Sequence, residues 1–179
     1  MSNIYFTIAV VFFLAALGII LLRYWKRVRQ AANSDWEQLL SRLEPVNREN
    51  IARIAEDALQ DDSSAYTELD GPAMSSLLGG LEGLEILERN CQVLIDLAAY
   101  VQRWYPEAVV VAEQLRMNAR ELEWHVARLK GAAQTGNLQS SFADYAQRAA
   151  VIYYGMTQNV LELYTRTTLP GVTDLQAAL

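Results

Sequence analysis

Three glutamates stand at steps of three, Glu82, Glu85 and Glu88. Paired carboxylates carry out acid–base chemistry when a shielded cleft splits their pKa values. On a helix this spacing instead makes one solvated stripe, partly relieved by Arg89. His125 is the sole histidine and has Glu121 four residues before it, a spacing that supports a helical ion pair or hydrogen bond. Glu123 points elsewhere. Di-iron helical bundles draw a Glu-x-x-His motif from each of two helices, which one histidine cannot supply. Cys91 is also alone, so an intrachain disulfide or a multi-cysteine metal site is excluded. It falls on an apolar helical stripe, where packing is its expected role. No Ser-His-Asp or Cys-His set stands out from the helical periodicity. The expectation is a non-catalytic chain with no metal and no cofactor.

Two other clusters point to contact rather than reaction. LLGGLEGLE, from Leu77 to Glu85, holds Gly79, Gly80 and Gly83. Each costs a helix about 1 kcal/mol relative to alanine, so something must compensate. Gly79 and Gly83 share a helical face, which predicts close approach by a second helix or, alternatively, a groove for a partner or ligand. A phosphate loop is excluded: no Gly-x-x-x-x-Gly-Lys is present, and Glu82 and Glu85 would repel an anion. RWYPEAVVV begins with Arg103, Trp104 and Tyr105 beside Pro106. This aromatic knuckle is either a cap on the end of a bundle or a docking point, because aromatic and arginine side chains dominate binding hot spots.

These residues must be positioned by helices, and the fold expected is all-α. Beyond a cap at Asn33 or Ser34, Trp36, Leu39, Leu40 and Leu43 recur at helical spacing. Pro45 interrupts, and a second helix runs from about 46 to 59 with Ile51, Ile54, Ala55 and Ala58 on its apolar face. No period holds through the acidic loop at 61–72, which reads as a flexible joint. The main bundle at 73–169 shows three long helices, about 73–104, 107–131 and 138–168. Steps of three and four define their seams. The first seam runs Leu77, Gly80, Leu84, Leu87, Cys91, Leu94, Ala98, Val101, Tyr105. The second runs Ala108, Ala112, Leu115, Ala119, Leu122, Val126, Leu129. The third runs Leu138, Phe142, Tyr145, Ala149, Ile152, Met156, Asn159, Leu163. Heptad-like seams predict near-antiparallel packing. Tyr153, Tyr154, Val160 and Tyr164 lie off the third seam and suggest surface left for an oligomer. Asn118 and Asn159 are candidates for setting register. A short tail occupies 170–179.

The N-terminus differs in kind. From Ile4 to Leu22 there is no charge; nineteen helical residues span roughly 28 Å, close to the hydrocarbon core of a bilayer. Residues 1–3 carry no basic side chain and the run ends without a small-residue cleavage pattern, which argues for a retained anchor rather than a secretory signal. A buried core helix is disfavoured by its all-round hydrophobicity. Arg23, Lys26, Arg27 and Arg29 follow at once, and a basic collar of this kind marks the cytoplasmic side. The expected arrangement is an N-terminus outside, a span at 4–22, a collar at 23–32, membrane-proximal helices at 33–60 and the bundle in the cytoplasm, at the inner membrane. Beyond residue 30, eleven basic residues face 21 acidic ones, a net charge of −10. Nucleic acid, which demands a positive face, is thereby excluded as a partner. Thirteen of the fifteen basic residues are arginine, which suits bidentate pairing with carboxylates.

Two functions fit this pattern. One is a membrane-tethered interaction or scaffold module that binds a protein partner or itself. The other is a tethered sensor whose bundle encloses a small apolar or amphipathic ligand, with the three glycines, Tyr145 and Tyr153 as lining.

Overall fold

The computed structural model describes residues 10–15, 17–19, 36–60, 70–167, 169 and 171–179. Among them the regular structure is all α-helix, with no strand. Two compact units divide it, 1–34 and 35–179. In the first unit, residues 10–15 and 17–19 are helical and their large apolar side chains are exposed. The expected span over 4–22 lies largely outside the described residues, as do Arg23, Lys26, Arg27 and Arg29 and the caps at Asn33 and Ser34. Among the described residues no helix is long and apolar enough to cross a membrane.

The second unit contains α1 (Trp36–Leu40), α2 (Arg48–Gln60), α3 (Gly71–Leu78), α4 (Gly80–Val101), α5 (Ala108–Gln134), α6 (Leu138–Thr167) and α7 (Val172–Ala178). Local chemistry sets several boundaries. The Asn50 N–H donates to Asn47 Oδ1 at 3.0 Å ahead of α2. Asp70 caps α3 by accepting from the Ala73 N–H at 2.8 Å, with Pro72 in the first turn, where a missing N–H costs nothing.

The long helices form an up-down-up bundle. Lys130, late in α5, meets Glu85 and Glu88, early in α4, so those two helices are antiparallel. His125 of α5 meets Tyr145 of α6, another antiparallel pair. Asn90 and Leu97 of α4 reach Tyr153 and Tyr164 of α6, which makes α4 and α6 parallel.

The second seam is buried along its length except for half-buried Ala119. The third is turned by about one residue from expectation. Its buried line runs Phe142, Ala146, Ala149, Tyr153, Met156, Val160, Tyr164, Thr167, while Leu138, Tyr145, Ile152, Asn159 and Leu163 are only half-buried. Tyr153, Val160 and Tyr164, expected off the seam, are core residues. They are buried because α6 is covered on several sides, by α5, α4, α3 and α2; Tyr154 is half-buried. Tyr105, expected to end the first seam, is exposed.

The single helix expected over 73–104 is two helices. Gly79 and Gly80 take φ values of +77° and +67°, a left-handed backbone that glycine adopts without steric penalty. The chain bends there, and the Leu78 carbonyl folds onto the first turn of α4. A Cβ at Gly83 would lie 1.7 Å from that oxygen. The close approach expected at the glycines is real, but the neighbour is the chain's own preceding turn.

Residues 36–60 pack on the bundle, and 171–179, expected as part of a short tail, fold back onto it. Leu175 and Leu179 of the C-terminal segment are buried, and Arg48 donates to the carbonyls of Gln176 and Ala177 at 2.6 Å each, satisfying the otherwise orphaned C-terminus of α7.

Gly83→Ala is expected to destabilise the fold by about 3 kcal/mol or more, because backbone must move to admit the methyl group. At Gly155, inside α6, a Cβ would meet nothing within 4 Å, and Gly155→Ala should stabilise by roughly 0.5–1 kcal/mol. Urea unfolding of both variants against the parent measures this.

Candidate functional site

The knuckle lies at the end of the bundle where α4 stops. Beyond Val101 the chain turns through 102–104, and Pro106 opens the path into α5. Tyr105 donates its hydroxyl to the Thr167 carbonyl at 2.9 Å, tying the corner to the last turn of α6. Trp104 stands edge-on to Tyr100 at 5.1 Å yet remains half-exposed. The Arg103 guanidinium lies 4.5 Å over the Tyr100 ring and 5.9 Å from that of Trp104, a cation–π arrangement that holds its charge at the rim.

Trp36 completes this end, 5.9 Å from Tyr100 and 5.1 Å from Tyr164. Its indole lies flat against Gly171, where a Cβ would come within 2.7 Å of the ring and φ is +98°. Together with Leu169 and Asp174 these rings line a recess of about 430 Å³. Of the knuckle, Tyr105 caps the end of the bundle, while Arg103 and Trp104 are exposed. The sequence marked Trp36 only as an apolar helix position; its partners are 64 and 128 residues away in the chain.

A buried polar clamp holds the connector after α1. Asn90 is 1% exposed. Its Oδ1 accepts from the Glu44 N–H at 2.9 Å, and its Nδ2 donates to the Glu44 carbonyl at 2.8 Å and to the Tyr153 hydroxyl at 3.3 Å. Arg89 next to it grips the Glu44 carboxylate with Nε at 2.5 Å and Nη2 at 2.8 Å. That hydrogen bond holds Glu44 below the usual carboxylate range and raises Arg89. Burial pushes the Tyr153 phenol up to about 12 and the Tyr164 phenol higher still. Asn90 was not singled out in the sequence, because an asparagine between Arg89 and Cys91 has no periodic signature. The candidates that were, Asn118 and Asn159, do not play this part: Asn118 accepts from Gln114 on its own helix, and Asn159 is half-buried.

Arg89 feels the charge of Glu85 and Glu88, as expected, but the stripe's direct ion pairs come from another helix. Arg89 is engaged with Glu44, and it is Lys130 that bridges Glu85 at 3.2 Å and Glu88 at 3.3 Å. Partial burial pulls the Lys130 ammonium down, but hydrogen bonds to the two carboxylates outweigh it and hold the pKa above its ordinary value. Cys91 is buried, and desolvation lifts its thiol to about 12, so it has little thiolate at neutral pH. His125 is 4% exposed, flanked by Trp124 and Tyr145, with Glu121 only at 3.9 Å. Burial lowers its pKa; Glu121 and Asp144 push the other way and Arg148 adds to the depression. Among the described residues, no three His, Cys, Asp or Glu side chains converge as metal ligands.

The residues expected to line one ligand cavity are dispersed. Gly79 and Gly83 border an open groove of about 350 Å³ with Val46, Leu77, Ile86 and Leu87. Tyr153 borders a separate recess between α2, α6 and the C-terminal segment, Tyr145 packs beside His125, and Gly80 lies in the bend.

No family model, curated protein or solved structure matches this chain.

Asn90→Ala would strip partners from the half-buried N–H and carbonyl of Glu44 and leave a gap at a buried position, and should cost about 2–4 kcal/mol in urea unfolding, with a much smaller loss for Arg89→Ala at the exposed rim. His125 gives a pH signature. Its folded pKa lies below the unfolded 6.5, so unfolding takes up a proton under acidic conditions; its contribution is complete above that pH and is lost as pH falls through it. Urea midpoints between pH 7.5 and 5 should decline, and His125→Gln should flatten that decline.

Proposed function

We propose that this chain is a membrane-anchored helical interaction module: N-terminus outside, one span over 4–22, and a non-catalytic acidic bundle held in the cytoplasm at the inner membrane to recruit a protein partner or a second copy. The observation that carries the reading is the surface of the N-terminal unit. Phe12 and Phe13 are 78% and 66% exposed, with Val11, Leu14 and Ile19 also more than half-exposed, inside a stretch that has no charge for nineteen residues. Water disfavours such a surface at about 25 cal/mol per Å², and lipid removes the penalty. The collar of Arg23, Lys26, Arg27 and Arg29 supports the orientation. The outward Arg103 and Trp104, set on a rigid aromatic base, support docking at the bundle end.

A second reading, a tethered sensor for a small apolar ligand, is favoured by the groove along Gly79 and Gly83, whose lining is mostly apolar. Against it, Tyr145 and Tyr153 lie elsewhere, and the groove is open rather than enclosed within the bundle.

Fractionation with topology mapping tests the first reading. The protein should stay with membranes through an alkaline carbonate wash. Its bundle should resist protease in intact cells and spheroplasts and be digested only after lysis. Release by carbonate would refute the anchor, and digestion in spheroplasts would refute the orientation. Trp104→Ala should reduce recovery of a partner from detergent-solubilised membranes.

A further inference from the structure

The face of α5 opposite the core carries Val110, Met117 and Trp124, which are 70%, 58% and 50% exposed. They are seven residues apart, so at about 100° per residue they stay within roughly 20° of one line. The buried face of the same helix, Ala108, Ala112, Leu115, Leu122, Val126 and Leu129, already serves the bundle. Trp124 also touches the bundle at one edge, against Tyr145 and His125, while half of its surface, like most of Val110 and Met117, is left to solvent.

We infer that this stripe pairs with the same stripe of a second copy, α5 against α5 and antiparallel, about a twofold axis through Met117. Helical geometry supplies the argument. With Met117 facing the partner, Glu113 and Arg120 lie on one flank, about 6 Å before and 4.5 Å after it along the helix axis. Gln114 and Glu121 occupy the other flank at matching offsets. An antiparallel twofold brings residues of one flank together at opposite offsets. Glu113, already paired with Arg116 of its own helix, then also faces Arg120 of the second copy, and Gln114, bonded to Asn118, faces Glu121, each contact made twice. Met117 meets Met117, and the small Val110 meets the large Trp124. A parallel pair would set Trp124 against Trp124 and bring the two Arg128 guanidiniums together, each already held 5.0 Å over its own Trp124 ring. It would also align the helix dipoles unfavourably. Antiparallel pairing has neither defect.

A single helix pair is a small interface, and the inference rests on the anchored-module reading for one element: confinement to a membrane raises the effective concentration of copies so that a weak contact is populated. It deepens that reading by naming the surface and the occupant.

Single-cysteine variants of the full chain, oxidised mildly in native membranes, test it. Cys91 is buried with a raised pKa, so the introduced thiol dominates. Met117→Cys should form a covalent dimer, and Glu123→Cys, off the stripe, should not. Val110→Cys or Trp124→Cys alone should stay monomeric, while the two co-expressed should cross-link. Adding Glu113→Arg to Met117→Cys turns two attractions into repulsions and should lower dimer yield about tenfold; adding Arg120→Glu as well should restore it. Equal cross-linking at 117 and 123, dimers from Val110→Cys alone, or no rescue by the charge exchange would overturn the proposal. Absence of any dimer at 117 in folded, membrane-bound protein would do so as well. Carbonate extraction of the same membranes reads the anchor independently, and cross-linking of concentrated detergent-solubilised protein reads the pairing without it.

Discussion

The connector between α1 and α2 runs along α4, from Asp96 beside Arg42 to Asn90 beside Glu44, as a turn followed by coil, and its backbone must be satisfied outside regular secondary structure. Its first residues bond back to α1, Ser41 to the Glu37 carbonyl, Arg42 to that of Leu39 and Leu43 to that of Leu40; Asn90 serves the middle, matching the Glu44 N–H and carbonyl with the acceptor and donors of one side-chain amide. A buried backbone group left without a partner costs as much as a lost hydrogen bond. The path of 41–47 is therefore committed to one register on α4, and everything downstream inherits it. Arg89 fixes the carboxylate of the same residue, and the remaining donor of Asn90 reaches Tyr153. One short stretch of α4 thereby locates the connector and α6 together.

The rest of the second unit is organised around this placement. With the connector held, α2 lies where Arg48 can cap α7 and Asn50 can donate to the Leu77 carbonyl at the end of α3. The bend at Gly79 and Gly80 separates α3 from α4 so that each packs on α6. At the far end, α7 returns Gly171 to the face of Trp36. The C-terminal segment thus closes on the first residue of each of the two N-terminal helices, Arg48 and Trp36.

An acidic unit needs its few cations well spent. Lys130 serves two carboxylates, Arg89 holds one bidentately, and Arg42 reaches Asp96 at 2.9 Å. Each of these three joins separate elements. The pairs within one helix, such as Arg148 with Asp144, stabilise that helix but set no tertiary geometry.

Much of this was legible in the residues. Helical class, the three long segments and the buried line of the second helix follow from spacing, because one-sided burial leaves a 3.6-residue period. The seam of α6 was misread by about one residue, since a helix buried on several sides carries apolar residues on several lines and periodicity cannot rank them. The glycine cluster was marked as costly, and its use as a bend became visible only with the φ values of Gly79 and Gly80. Trp104 and Arg103 were legible as a knuckle; Trp36 and Gly171, which complete the recess, were not. By itself the sequence determined an all-helical chain with a charge-free front and an acidic remainder, because composition and period are local properties. The tertiary structure alone decided which asparagine is buried, which acid Arg89 holds, and that residues 171–179 close the fold. Those outcomes depend on contacts between residues tens of positions apart, and no local spacing encodes them.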